Sequence, residues 1–193
     1  MRLSRRASTV TACALGLLAV LAFFYEGAHD SKHTYGNDEA SIVEVIHAIE
    51  GYEDDTIDIL KITDIGEKRY AAFLADNSPG YIQFRQNQKG DYEWESIQVS
   101  RNEPFGTFAP EEHKFLIVMN DENRIARMQV RVNGQLVAKS FAPHRASAAW
   151  LDWPPTDEDH YVFRDYKYYD DQGNLIVTAG EQTTVWIFTC TGA

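Results

Sequence analysis

Apolar positions along this chain follow three regimes. Residues 7–25 are nineteen consecutive positions without a charge, most apolar over 14–24. Ile42, Val45, Ile46 and Ile49 then recur at spacings of three and four, which predicts an amphipathic helix with one apolar stripe. Asn37 is the expected N-cap, Asp38 and Glu39 suit the positive end of the helix dipole, and Gly51 supplies a stop. Beyond it the period falls to two. Strands are expected over 56–63, 69–75, 81–85 and 92–99, separated by Asp64-Ile65-Gly66-Glu67, Asn77-Ser78-Pro79-Gly80 and Asn87-Gln88-Lys89-Gly90-Asp91, each rich in turn-forming residues.

Residues 102–113 interrupt this rhythm with Pro104, Gly106 and Pro110 and read as a linker between two modules. A second strand series is expected over 114–119, 124–132, 135–141, 146–153, 161–169 and 174–177, with Asn133-Gly134 its strongest hairpin signal. No helical period recurs after residue 51. The expected class is α+β: an N-terminal transmembrane helix within 1–25, a tether over 26–36, one helix packed on a four-stranded antiparallel meander over 37–101, and an antiparallel β-sheet or sandwich over 114–177. The tail, 178–193, holds one more β-prone run ending at Phe188, a candidate edge strand.

As a helix, residues 7–25 would be roughly 28 Å long, enough to span a hydrocarbon core. Arg2, Arg5 and Arg6 precede this stretch and only Lys32 follows within thirty residues, so the N-terminus is expected in the cytoplasm and the remainder outside, as a single-pass protein of the cell membrane. Two alternatives stay open. A cleaved signal would release the chain as a secreted protein, although Glu26-Gly27-Ala28 puts a carboxylate where a small residue is wanted. Val10-Thr11-Ala12-Cys13 resembles a lipobox, but its apolar stretch follows the cysteine.

Composition is ordinary for a globular chain of 193 residues, 44% hydrophobic and 24% charged, and excludes the collagenous, low-complexity and disulfide-rich classes. Charge does more. The formal net charge is −11, and residues 26–193 hold 15 basic and 29 acidic side chains. Non-specific nucleic-acid binding is therefore not expected. An acidic exterior also disfavours anionic lipids and teichoic acids unless divalent cations bridge them, and makes an envelope protein with a basic face or a cationic peptide the expected partner.

The search for chemistry returns no catalytic set, metal site or cofactor motif. No Gly-x-Ser-x-Gly elbow is present, and Cys13 and Cys190 offer neither a thiolate zinc site nor a plausible intrachain pair. His29 and His33 have ligand spacing but lie in the expected tether. Glu53-Asp54-Asp55, Asp157-Glu158-Asp159 and Asp170-Asp171 lack the frame of a calcium loop. Aromatic residues are the one enrichment, at 12%. Trp150, Trp153, Tyr166, Tyr168 and Tyr169 crowd the second strand series and form the candidate ligand or partner surface, against the plainer reading that they are core.

The anchor, the helix over 41–49 running into Glu50-Gly51-Tyr52, the run Phe73-Leu74-Ala75-Asp76-Asn77-Ser78-Pro79-Gly80-Tyr81-Ile82-Gln83-Phe84, and Phe163-Arg164-Asp165-Tyr166-Lys167-Tyr168-Tyr169-Asp170-Asp171-Gln172-Gly173-Asn174-Leu175 together resemble uncharacterised membrane-anchored extracytoplasmic proteins of Bacillus-type, Gram-positive bacteria. The resemblance covers residues 7–177 and implies an envelope setting; it brings no catalytic residues. The expected function is a non-enzymatic binding or interaction module of the cell envelope. The alternative is a hydrolase of cell-wall or surface polymers working through paired carboxylates.

Overall fold

The computed structural model describes residues 34–156 and 160–176 and the backbone of 187–189. The expected anchor (7–25), His29 and His33, and most of the tail lie outside them. Among the described residues no helix is long and apolar enough to cross a membrane.

The one α-helix among them, α1 (Glu39–His47), starts one residue later than the sequence suggests. Asp38 is the N-cap: its Oδ1 accepts from the Ser41 N–H at 2.8 Å, while the Ser41 Oγ accepts from the Asp38 N–H at 2.9 Å. Asn37 is spent elsewhere, accepting from the Tyr92 N–H at 3.0 Å and donating to Asp91 at 2.9 Å, so it fixes the approach to the helix against the sheet. Ile42, Val45 and Ile46 are buried against Ala71, Phe73, Ala75, Ile82 and Phe84. At about 1.5–3 kcal/mol per buried aliphatic side chain, this stripe holds a nine-residue helix that would not persist alone.

The strands are β1 (Ile57–Ile65), β2 (Lys68–Ala75), β3 (Ser78–Gln86), β4 (Tyr92–Val99), β5 (Phe105–Glu111), β6 (Lys114–Met119), β7 (Arg127–Val132), β8 (Gln135–Ser140), β9 (Ser147–Asp152), β10 (His160–Tyr169), β11 (Leu175–Ile176) and β12 (Ile187–Thr189). They form three antiparallel sheets: a first of order β1-β2-β3-β4, a middle one of order β5-β6-β9, and an outer one of order β11-β10-β7-β8 to which β12 adds along β10. The β-rich, antiparallel character and the single short helix agree with the sequence. The register of the second hairpin differs. Asp76 and Asn77, both with positive φ (46° and 65°), make the two-residue turn, and Ser78, Pro79 and Gly80 already belong to β3. Gly80 is required for packing: a Cβ there would lie 2.8 Å from the Gln98 carbonyl oxygen on β4.

Residues 102–113 are not a linker. They carry β5, and the described residues from Tyr35 onward form one compact unit instead of two modules. The physical reason is β6, whose faces belong to different cores. Leu116 and Val118 pack with Phe108 against Tyr70, Ala72, Leu74 and Tyr81 of the first sheet. Phe115, Ile117 and Met119 pack against Met128, Val130, Val132 and Phe163 of the outer sheet. The order is helix, first sheet, middle sheet, outer sheet, and strands covered on both faces lose the alternation that marks a one-sided strand.

At the rim between the first and middle sheets, Glu111 accepts from Lys68 Nζ at 2.7 Å and from the hydroxyl of Tyr70, which is 1% exposed. Burial raises the Glu111 carboxyl, but the bonds from Lys68 and Tyr70 outweigh it and hold the pKa below its ordinary 4.5. A carboxyl depressed in the folded state stabilises it above the unfolded pKa, and that stability is lost as pH falls through the folded value. Urea unfolding followed by circular dichroism from neutral to acid pH should therefore show a steeper acid loss for the wild type than for Glu111→Gln; parallel curves would refute the assignment.

Candidate functional site

The outer sheet presents one face to the middle sheet and one to solvent, and its register sorts the side chains between them. Met128, Val130, Val132 and Phe163 point inward and are fully buried. Outward stand Arg127, Gln129 and Arg131 on β7, Leu136, Ala138 and Ser140 on β8, Val162, Arg164, Lys167 and Tyr169 on β10, and Leu175 on β11. Arg131 is opposite both Leu136 and Arg164, Gln129 is opposite Lys167, and Arg127 is opposite Tyr169. Arg127, Arg131, Arg164 and Lys167 are all exposed, and Asp165 is the one carboxylate on these four strands. In a chain of net charge −11, this face is cationic.

Two of the three large hydrophobic residues exposed among the described ones, Leu136 (58%) and Leu175 (50%), lie on this same face, one on each side of the cations. Exposed apolar side chains therefore flank the cations on this face.

A bulge shapes the hairpin end of the face. Asp165 and Tyr166 are both inserted opposite Val130, between the pairs Arg164–Arg131 and Lys167–Gln129. Asp165 adopts φ 55°, a left-handed conformation that Asp tolerates better than most residues. This turns Tyr166 into the core beneath, where burial pushes its phenol well above its ordinary value, and leaves Arg164 and Asp165 both on the outside. Arg131 donates from Nη1 to the Gly134 carbonyl at 3.0 Å, and its Nε lies 3.5 Å from Asp165 Oδ2. Asn133, in the tight Asn133-Gly134 turn (φ 46° and 81°), accepts from the Val162 N–H at 2.7 Å and donates to Thr156 at 3.0 Å. Arg131, Asn133, Gly134, Val162, Arg164 and Asp165 line a half-open pocket of about 350 Å³.

Like charges directly opposite on neighbouring strands are destabilising. Among the described residues Arg164 has no carboxylate within ion-pair distance, whereas Lys68, Arg69, Arg85, Arg101 and Lys114 each have one. At the far end Arg127 lies 4.5 Å above the Tyr169 ring.

Of the five aromatic residues singled out by sequence, only Tyr169 belongs to this face. Trp153 is 5% exposed and packs with Phe115, Tyr161 and Phe163, and Tyr166 and Tyr168 pack against the same core. Trp150 is edge-on to Tyr70 at 5.4 Å, on the opposite side of the middle sheet. The sequence did carry a signal for the cations. Residues 123–151 contain Arg124, Arg127, Arg131, Lys139 and Arg145 and no carboxylate, a gap that the net charge hides.

Among the described residues that line the pocket, Asp165 is the one carboxylate. Among the described residues no three His, Cys, Asp or Glu side chains gather as a metal-ion site. Comparison with known proteins finds no family model, no curated relative and no solved structure that matches the chain.

Proposed function

We propose that this protein is a non-enzymatic binding module of the cell envelope, presented outside the membrane by residues 7–25, and that the solvent face of its outer sheet binds an anionic polymer. Segregated charge carries the binding part of this reading: Arg127, Arg131, Arg164 and Lys167 share one face on which, among the described strand residues, Asp165 is the one carboxylate, on a chain with 29 acidic residues. The anchor rests on the uncharged stretch and the arginines before it, and the Gram-positive setting on the resemblance of residues 7–177.

Net charge alone favours a cationic partner, but contact energies are set within a Debye length of about 8–10 Å, where the local sign decides. Arg127 and Arg131 are four residues apart on one strand, about 13 Å, with Lys167 and Arg164 beside them. This strip matches an extended polyanion better than a point charge, and Leu136 and Leu175 give it apolar margins. Tethering raises the effective concentration for polymer at the same surface, so weak contacts suffice.

Full-length protein in a non-ionic detergent should be retained by a sulfopropyl cation exchanger at neutral pH and low salt despite its net charge. Replacing Arg127, Arg131, Arg164 and Lys167 by glutamine should abolish retention. Removing Lys61 and Lys89, exposed cations of the first sheet and the β3–β4 loop, should leave most of it. If both variants elute alike, the face is not a binding surface.

A further inference from the structure

Resting on that reading of the outer sheet, we infer that the pocket at its hairpin end is a subsite for one phosphate monoester group, held between Arg131 and Arg164, with Asp165 as the chain's own competitor for the site.

Ligand class follows from counting donors and oxygens. A guanidinium presents a planar fork that one carboxylate satisfies with both oxygens. Here two forks project from directly opposed positions on neighbouring strands, into a pocket that both line. A monoester dianion has three free oxygens and a charge near −2, enough for both forks; a carboxylate or a phosphodiester has two free oxygens and one charge. At about 350 Å³ the pocket exceeds the phosphate itself and leaves room for the small group that bears it. Val162 supplies an apolar wall and Asn133-Gly134 a floor fixed by its own hydrogen bonds.

Arg131 is already aimed. Its bond to the Gly134 carbonyl holds one end of the guanidinium, so little side-chain freedom remains to be lost on binding. Asp165 balances part of its charge in the free protein. At 3.5 Å and with both side chains more than half exposed or close to it (50% and 59%), the contact is too long for a good hydrogen bond and is readily displaced. The bulge that puts Asp165 at φ 55° keeps its carboxylate beside the pocket, so an arriving dianion meets both a competitor for Arg131 and a like charge.

The test is titration of ¹⁵N-labelled full-length protein in detergent micelles with inorganic phosphate, read at the Gly134 and Val162 amides, with acetate and dimethyl phosphate as parallel arms at matched ionic strength. Phosphate should shift both resonances saturably and more tightly than either other anion. Asp165→Asn should tighten it about fivefold and Arg164→Gln should weaken it at least as much. Equal binding of acetate or dimethyl phosphate, or no effect of Asp165→Asn, would overturn the subsite. If the exchanger still retains the protein through the four cations while phosphate fails to saturate, the subsite is wrong and the polymer-binding face stands. Loss of both would remove the face as well.

Discussion

Replacing Leu116 by alanine should lower the unfolding free energy by about 2–5 kcal/mol, and the whole of the folded unit should still melt in one transition. Leu116 is 1% exposed and sits on β6 facing the first sheet, in a core shared with Tyr70, Ala72, Leu74, Tyr81, Phe108 and Val118. The cavity would open between sheets, where hydrogen-bonded strands on either side limit collapse, which places the cost in the upper half of the range. The next residue, Ile117, enters the other core with Met128, Val130 and Phe163. A strand whose alternate residues anchor two cores makes each depend on the other. Hydrogen exchange in rising urea should therefore show the amides of β2 and β7 losing protection together, and Leu116→Ala shifting both by the same amount. Independent modules over 37–101 and 114–177 would instead give two transitions, only one of them moved. Leu136→Ala, at an exposed position, should change stability by about 0.5 kcal/mol or less.

Why the sequence suggests two modules is clear at residues 102–113. Pro104, Gly106 and Pro110 are breakers in most strands, yet β5 is an edge strand of the middle sheet, with one side free of ladder bonds. Pro110 falls in the irregularity between Phe108 and Glu111, where an absent N–H costs nothing to the register. Gly106 lets the Phe108 ring lie close, since a Cβ there would come within 2.5 Å of it. These are local signals of interruption that tertiary context reverses. At Asn77-Ser78-Pro79-Gly80 the turn residues point to the right hairpin but the wrong two positions, because Asp and Asn also tolerate positive φ.

The elements that were legible depend on local chemistry alone. The stripe of α1, the Asn133-Gly134 turn and the alternating strands of the outer sheet follow from side-chain spacing and backbone φ, and appear within two or three residues of where the pattern puts them. Pairing of sheets was not legible, since β2 and β6 are apolar on both faces and a period of two cannot say which neighbour covers which face. The candidate site was hidden for a related reason. A net charge sums over the surface, whereas Arg131 and Arg164, 33 positions apart, become neighbours only through the β7–β10 register. The aromatic enrichment drew attention to side chains that serve mainly as packing.

The second large effect is expected at Asn123, which is fully buried and uses both ends of its amide. Its Nδ2 donates to the Asn120 carbonyl at 2.8 Å and its Oδ1 accepts from the Ile125 N–H at 3.1 Å, while its own carbonyl accepts from the His144 N–H at 2.8 Å. Asn120, 3% exposed, extends the network by donating to the Asn77 carbonyl at 2.8 Å, so these two side chains tie the first-sheet hairpin to the loop that feeds β7. Asn123→Ala would take the acceptor from the buried Ile125 N–H and leave the Asn120 carbonyl only the long 3.5 Å bond from the Asn123 N–H, and should cost about 2–4 kcal/mol. Asn123→Asp separates the two ends. The carboxylate keeps the acceptor for Ile125 but sets a buried negative charge against the Asn120 carbonyl, so at neutral pH it should be at least as damaging as alanine. Burial raises the pKa of such a carboxyl, and a group raised in the folded state contributes stability that is present at low pH and lost as pH rises. Once protonated, the Asp hydroxyl can donate to Asn120 as the amide did. Measured against the wild type at each pH, Asn123→Asp should therefore recover stability on acidification while Asn123→Ala does not. Equal deficits at all pH values would mean that the amide fills space there and makes no essential bond.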